Sequence, residues 1–286
     1  MPWTFSNTGI GGGFGISPSG NPGGGMNFAA PTAGIVTSGL VMNLDAGDVT
    51  SYPGSGTTWT DLSGNTNTAT LVNGPTFNSG NNGYIITDGS DDYIEVTTRN
   101  TNLEFQPNQP HSAFCWVYNL SNTTAAILSN MNSANPFQGW NLLTVPGLLY
   151  AQLITAYPTN ALSVAVAFDY TGNANKWVNV GYTYDGSSPT TAQGCLNSIN
   201  FYVNGQLFTS GKAIEPSAGG IDGFNTTSET TTYPTSQRFR IASRWASGAA
   251  SVQAALNIAQ VVLYNKVLTS SEVLQNFNTL RGRFGI

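Results

Sequence analysis

Charge is scarce in this chain. Of 286 residues, 9 are Lys or Arg and 14 are Asp or Glu. The charged fraction is therefore 8%, against about 25% in an average soluble domain. A long-helix or coiled-coil protein is excluded, because such chains are built from Ala, Glu, Lys, Leu and Arg. The cations are three lysines and six arginines in a chain of net charge −5. No basic stripe can be assembled from them, so nucleic acid is not expected as a partner. No stretch approaches the roughly 20 consecutive apolar residues of a membrane span, so no membrane is expected. The opening Met1-Pro-Trp-Thr-Phe5 has no basic residue and leads into no apolar run of signal-peptide length, so no export signal is expected. Cys115 and Cys195 are too few for a disulfide scaffold and are expected to remain thiols. The single histidine, His111, lies in Gln109-Pro-His-Ser112. A His-rich zinc site is excluded, and His111 reads as a polar residue entering a strand.

Glycine, by contrast, is abundant, at 33 residues, and 40% of the chain is hydrophobic, enough to bury a core. The exterior must then be neutral and polar, made of Asn, Thr, Ser and Gln. Residues 1–44 hold no charge at all, and the first 32 contain nine glycines and four prolines. Few side chains there can offset the backbone entropy of folding. Yet Trp3, Phe5, Phe14, Met26 and Phe28 are spaced through the same segment. Residues 1–38 therefore read as an extended arm whose large apolar groups need a partner surface, and residues 39–286 as one domain.

In that domain the hydrophobic period is two. Leu40, Met42 and Leu44 share a face, as do Val178, Val180, Tyr182 and Tyr184, and again Ile199, Phe201 and Val203. Phe114-Cys-Trp-Val-Tyr118 and Ile258–Tyr264 are further strands. Asn204-Gly205 between alternating runs is a strong hairpin signal. Thr269-Ser-Ser-Glu272 has capping-box spacing and opens a short helix through about Leu280. Short strands, frequent Gly/Asn/Ser turns and one late helix predict an all-β sandwich.

Four segments resemble the laminin-G-like, concanavalin A-like jelly-roll family. Asp88-Gly-Ser-Asp-Asp-Tyr-Ile94 is similar to its Asp-Gly-x-Asp-Asp-Tyr turn and strand, and Trp177 through Gly186 to its Trp-x-x-Val-x-x-Thr-Tyr-Asp-Gly strand. Phe201-Tyr-Val-Asn-Gly205 resembles its Tyr-Val-Asn-Gly hairpin, and Ile258 through Glu272 its closing strand and capped helix. The resemblance implies a two-sheet antiparallel jelly roll with one short C-terminal helix and an extended N-terminal arm. Residues 121–176 and 209–240 fall outside it and read as inserts. Asn179 stands where the family often has His, and Ile258-Ala-Gln-Val261 where it often has Ile-Asp-Glu-Val. Losing both carboxylates counts against a calcium site. Asp88, Asp91 and Asp92 are expected to bond nearby backbone amides in a turn rather than hold a cation.

Glucanases share this architecture, and glycoside hydrolysis needs a carboxylate pair. None of Glu95, Glu104, Glu215, Glu229 and Glu272 begins the Glu-x-Asp-x-x-Glu spacing of that branch. No Gly-x-Ser-x-Gly elbow is present, and one histidine leaves a Ser-His-Asp triad without support. The expectation is no catalytic residue, no metal and no cofactor. Two function classes remain. One, implied by the resemblance and the arm, is a structural protein of a tailed-phage virion: a capsid decoration, head fibre or tail appendage. Its partners would be other virion proteins and copies of itself, a trimer being one such state, with residues Trp3, Phe5, Phe14, Met26 and Phe28 as the partner-binding anchors and host glycans as a further contact. The other is a carbohydrate-binding lectin-like module, in which Trp140, Tyr157, Tyr233 or Trp245 would stack on sugars unless they fill the interior.

Overall fold

A computed structural model of the chain describes residues 34–214, 223–246 and 249–286. All pairings between its strands are antiparallel. The strands are β1 (Leu40–Asp45), β2 (Thr58–Trp59), β3 (Ala69–Val72), β4 (Thr76–Asn78), β5 (Tyr84–Ile86) and β6 (Tyr93–Glu95). Next come β7 (His111–Tyr118), β8 (Ala125–Met131), β9 (Gly139–Val145), β10 (Leu148–Ala156), β11 (Asn160–Ala167) and β12 (Trp177–Tyr184). After helix α1 (Ala192–Ser198) follow β13 (Ile199–Val203), β14 (Gln206–Phe208), β15 (Ala213–Ile214), β16 (Arg240–Ile241), β17 (Arg244–Ala246), β18 (Ala249–Ser251) and β19 (Asn257–Tyr264). Helix α2 (Ser270–Leu280) comes last.

One sheet has the order β14-β13-β12-β7-β19-β5-β4, with β1 also paired to β19. The other runs β15-β11-β10-β9-β8-β16-β6-β3-β2, and β17 and β18 form a separate ribbon. Strands distant in sequence are neighbours in both sheets, as a jelly roll requires. The main core lies between them, where alternate residues such as Ala113, Cys115 and Val117 of β7 meet Leu142, Leu153 and Val164 of the second sheet.

The other face of the first sheet is covered too. Phe114, Tyr202 and Tyr264 pack with Val36, Leu268 and Val273, while Trp116 stacks on Phe277 and Phe284 at 5.4 and 4.3 Å. Helix α2 lies over this face because its start is fixed. Thr269 Oγ1 accepts from Glu272 N at 3.3 Å, and Glu272 Oε2 accepts from Thr269 N at 2.9 Å. The hairpin turn beneath it uses Asn204 (φ 50°) and Gly205 (φ 73°), both in the left-handed region. Arg283, just past α2, clamps Asp45 Oδ1 at 2.6 Å and also donates to the carbonyls of Asn81 and Gly83.

Two expectations need correction. Residues 121–176 are not an insert: they contain β8 to β11, four central strands of the nine-stranded sheet. Their apolar runs are buried on both faces, so the alternation that marks a half-buried strand is weak. The late helix is also joined by α1, where Thr191 Oγ1 accepts from Gly194 N at 3.1 Å and starts a seven-residue helix. Trp3, Phe5, Phe14, Met26 and Phe28 lie outside the described residues. Residues 34–38 are described, and there Val36 is buried, with Asn276 Oδ1 accepting from its amide at 2.8 Å.

Candidate functional site

The outer face of the nine-stranded sheet carries a continuous polar row. Along β8 to β11, alternate residues enter the core (Leu128, Leu142, Leu153, Leu162), so the residues between them face outward. Register then brings outward residues into line: Ser129 is opposite Asn141, Asn141 opposite Gln152, and Gln152 opposite Ser163. In the other direction Ser129 is opposite Arg240, Arg240 opposite Glu95, and Glu95 opposite Thr70. Seven adjacent strands thus each place one polar side chain at one level.

Apolar side chains border this row on both sides. Leu143, Tyr150 and Ala165 align on one side, and Met131, Ile154 and Ala161 on the other. Gly139 completes the second line; its φ is +128°, and a Cβ there would sit 1.9 Å from the Asn130 carbonyl oxygen, so only glycine fits. Two loops raise a wall at that end. Phe137 and Tyr157 meet edge to face at 5.5 Å, held by Tyr157 N donating to Pro136 O at 3.1 Å. The result is a recess of about 410 Å³ lined by Thr124, Met131, Phe137, Tyr150, Gln152 and Tyr157, with Arg244 at its edge.

Within the row the hydrogen bonding is incomplete. Gln152 Nε2 donates to Ser163 Oγ at 3.0 Å, and Asn141 Nδ2 points at Met131 Sδ, a weak acceptor, at 3.0 Å. Asn141 Oδ1 and Ser129 Oγ, on facing residues that are both 0% exposed, have no hydrogen-bond partner. Leaving such an atom unsatisfied costs about 1–3 kcal/mol. Arg240, 1% exposed, is compensated: its Nε bonds Glu95 Oε2 at 2.6 Å, and its guanidinium lies 4.1 Å above the Tyr93 ring.

The ribbon of β17 and β18 runs along β8, tied by Ser133 N to Trp245 O at 2.8 Å and by Ala126 N to Val252 O at 2.9 Å. Beyond it lies a second recess of about 500 Å³, lined by Tyr93, Glu95, Thr97, Ser236, Arg238 and Trp245.

The residues singled out from sequence are placed as follows. Trp140 and Tyr233 are core residues, Trp140 donating to Leu103 O at 2.8 Å and Tyr233 to Phe105 O at 2.6 Å, so neither can face a sugar. Tyr157 borders the first recess, and Trp245, 6% exposed, the second. His111 does begin a strand, fully buried and stacked on Phe105 at 4.3 Å. Burial pushes its imidazole down to about 3, against a weaker opposing bond to Gln109, which holds it neutral. Cys115 and Cys195 are both buried, and burial pushes the Cys115 thiol up. Asp88 Oδ1 accepts from the amides of Ser90, Asp91 and Asp92, as a turn aspartate does, although all three aspartates lie close together. Three glutamates are engaged in ion pairs: Glu95 with Arg240, Glu104 with Arg99 and Glu272 with Lys266. Glu215 lies outside the described residues. The polar row is not legible in the sequence because its members come from distant segments. The available signal is a polar residue inside each apolar run, at Ser129, Asn141, Gln152 and Ser163.

The fold and this face define a two-sheet antiparallel jelly-roll sandwich with a recessed outer surface. No protein-family model matches the chain, and no curated protein matches it. Solved structures match it in fold. The binding domain of botulinum neurotoxin DC in complex with rat synaptotagmin II superposes with a TM-score of 0.56 at 15% identity, covering 86% of this chain and 52% of that one. The binding domain of botulinum neurotoxin serotype D gives 0.54 at 14%, covering 85% and 52%. A structure of type C, whose cell entry depends on interaction with two ganglioside molecules, gives 0.53 at 17%, covering 86% and 52%. This chain therefore spans about half the length of the chains it matches, and the likeness is one of fold. Among the described residues no helix is long and apolar enough to cross a membrane.

Proposed function

We propose that this protein is a non-enzymatic binding module that takes a neutral glycan in the recess beside Gln152. The observation that carries this reading is the polar row set between two apolar rows. A sugar ring presents hydroxyl groups at its edge and C–H groups on its faces, so it needs donors and acceptors flanked by apolar and aromatic side chains. Gln152 and the exposed Thr124 offer donors and acceptors inside that recess, beside the rings of Tyr150 and Tyr157, where a sugar hydroxyl or a bridging water can meet them. The fold supports the reading, since it is shared with binding domains of which one interacts with gangliosides. The engaged glutamates and the buried, neutral His111 favour binding over turnover. A glycan array probed with the full chain, followed by calorimetry on the hits, tests it. Selective binding is expected, and Thr124→Trp, which fills the recess from an exposed position, should abolish it. Silence across the array, or hits that persist in T124W, would overturn it.

A second reading concerns residues 1–38 and rests on their composition. An uncharged, glycine-rich segment bearing Trp3, Phe5, Phe14, Met26 and Phe28 suits attachment of the module to a larger assembly, since no ion must be desolvated at the interface. The assembly proposed is a tailed-phage particle, with the module as a decoration, fibre or tail appendage, in single or several copies. Mass spectrometry of purified particles should find the full chain, and deleting residues 1–28 should leave a folded protein that no longer incorporates. Normal occupancy of the truncated chain would remove the arm as anchor.

A further inference from the structure

The two recesses border one polar row, and a single ribbon stands between them. Arg240, whose side chain leaves the outer face of the sheet, donates from Nη1 to Arg244 O at 3.5 Å, so β17 passes over the row where it crosses β16 and β8. Arg244 and Trp245 are consecutive on that strand and leave opposite faces of it. Arg244 edges the recess containing Gln152, and Trp245 edges the recess containing Glu95. The ribbon is thus a saddle with one flank in each recess, and Ser129, the middle member of the row, is 0% exposed.

The two recesses also share their chemistry. In the second, Arg240 is neutralised by Glu95, and the Arg238 guanidinium donates to the carbonyls of Thr97, Thr235 and Gln237 at 2.7–3.0 Å. Charge facing that recess is largely engaged within the protein, which favours a neutral, hydroxylated ligand there as in the first. From Glu95 on β6 to Gln152 on β10 the row crosses β16, β8 and β9, four strand steps. At about 4.8 Å per step this is about 19 Å. An extended β-linked chain of five or more hexopyranoses is long enough to span that distance over the ribbon.

We infer that the two recesses are the two ends of one site, which takes a linear neutral oligosaccharide of five or more residues laid across the strands and over the β17–β18 saddle. This rests on the glycan reading above and adds the length and direction of the ligand. A ligand of two or three residues fills one recess only, while a longer one gains the second without paying again for its rotational and translational freedom.

The test is calorimetry on the full chain with ladders of β-1,4-linked glucose, mannose and N-acetylglucosamine oligomers of two to six residues. For the sugar that binds, Kd is expected to fall at least tenfold between the three-residue and six-residue members, with one hexamer bound per chain. Ser236 is exposed at the rim of the second recess, so Ser236→Trp plugs it from outside the core. With an unchanged melting temperature as its control, S236W should weaken the hexamer to the affinity of the trimer. An affinity that is flat with length, two hexamers per chain, or a length gain that survives in S236W would overturn the inference while leaving single-recess binding intact. Binding by no member of any ladder would overturn the glycan reading and this inference together.

Discussion

Arg283 Nη1 lies 2.6 Å from Asp45 Oδ1, joining residues 238 positions apart. The side chains are 7% and 14% exposed, so the pair is largely removed from solvent. The same guanidinium holds the carbonyls of Asn81 and Gly83, and one cation thereby fastens the segment after α2 to β1 and to the turn before β5. Arg283→Ala leaves a half-buried carboxylate without its cation while Gly47 N still donates to it, and a loss of about 1.5–3 kcal/mol is expected. At about 2–4 °C per kcal/mol for a chain of this size, the melting temperature should fall by at least about 3 °C. A thermal melt checks it, and a drop under about 2 °C would mean that the clamp contributes little.

Acid should destabilise the fold well before the carboxylates titrate. Nδ1 of His111 faces a carbonyl, Gln109 O at 3.4 Å, and so carries the proton, which leaves Nε2 to accept from Tyr182 OH at 3.0 Å. Desolvation lowers its pKa from 6.5 to about 3 in the folded state. The unfolded chain therefore binds the extra proton first as pH falls. Stability from this group is complete above the unfolded value and declines below it, by about 1.4 kcal/mol per pH unit, until the folded value is reached. Urea titrations at pH 7, 6, 5.5 and 5 should show that slope, and His111→Gln should flatten it. An equal slope in the variant would assign the acid sensitivity elsewhere.

Gly205 supports α2 through what it lacks. Its φ is +73°, and a Cβ would fall 2.8 Å from Phe277 Cβ. Gly205→Ala combines a strained left-handed turn with a displaced helix, and a loss of about 2–3 kcal/mol is expected. Loss of the near-ultraviolet signal from the stacked Trp116, Phe277 and Phe284 should accompany it. A variant as stable as the parent would show that the helix yields freely.

Divalent cations should matter little. The Asp88 carboxylate is held below its ordinary range, first by the Ser90 amide, and the carboxylates of Asp88 and Asp92 are already bonded within their own turn. Excess EDTA, or millimolar calcium, is expected to move the melting temperature by less than about 2 °C. A larger upward shift with calcium would make the three aspartates a ligand set.

What could be read from the sequence was what depends on neighbours along the chain. Asn204-Gly205 needs only its own backbone preferences, and Thr269 and Glu272 cap one another across three residues, so hairpin and helix were legible. Val178, Val180, Tyr182 and Tyr184 also showed as one face of a strand. The α1 helix was not legible, because seven residues are too few to show a helical period, Gly194 sits in their midst, and only Thr191 marks the start. The candidate site was hidden for a different reason. Thr70, Glu95, Ser129, Asn141, Gln152, Ser163 and Arg240 become neighbours through the register of seven strands, and register is set by the packing of the whole sheet. Of the four aromatics considered for sugar contact, Trp140 and Tyr233 fill the interior, as large rings in a sandwich mostly do.

The pairing of β1 with β19 sets a timetable for synthesis. Asp45 ends the first strand, and Asn257 begins the strand it must join. At a translation rate of about 5–20 residues per second, β1 waits on the order of 10–40 s for its partner. During that interval Leu40, Val41, Met42 and Leu44 are an apolar strand with open edges, and Asp45 is its only charge. Few gatekeeping charges exist anywhere in this chain to discourage a stray pairing. Until β19 is made, that strand is therefore open to stray pairing with other extended segments.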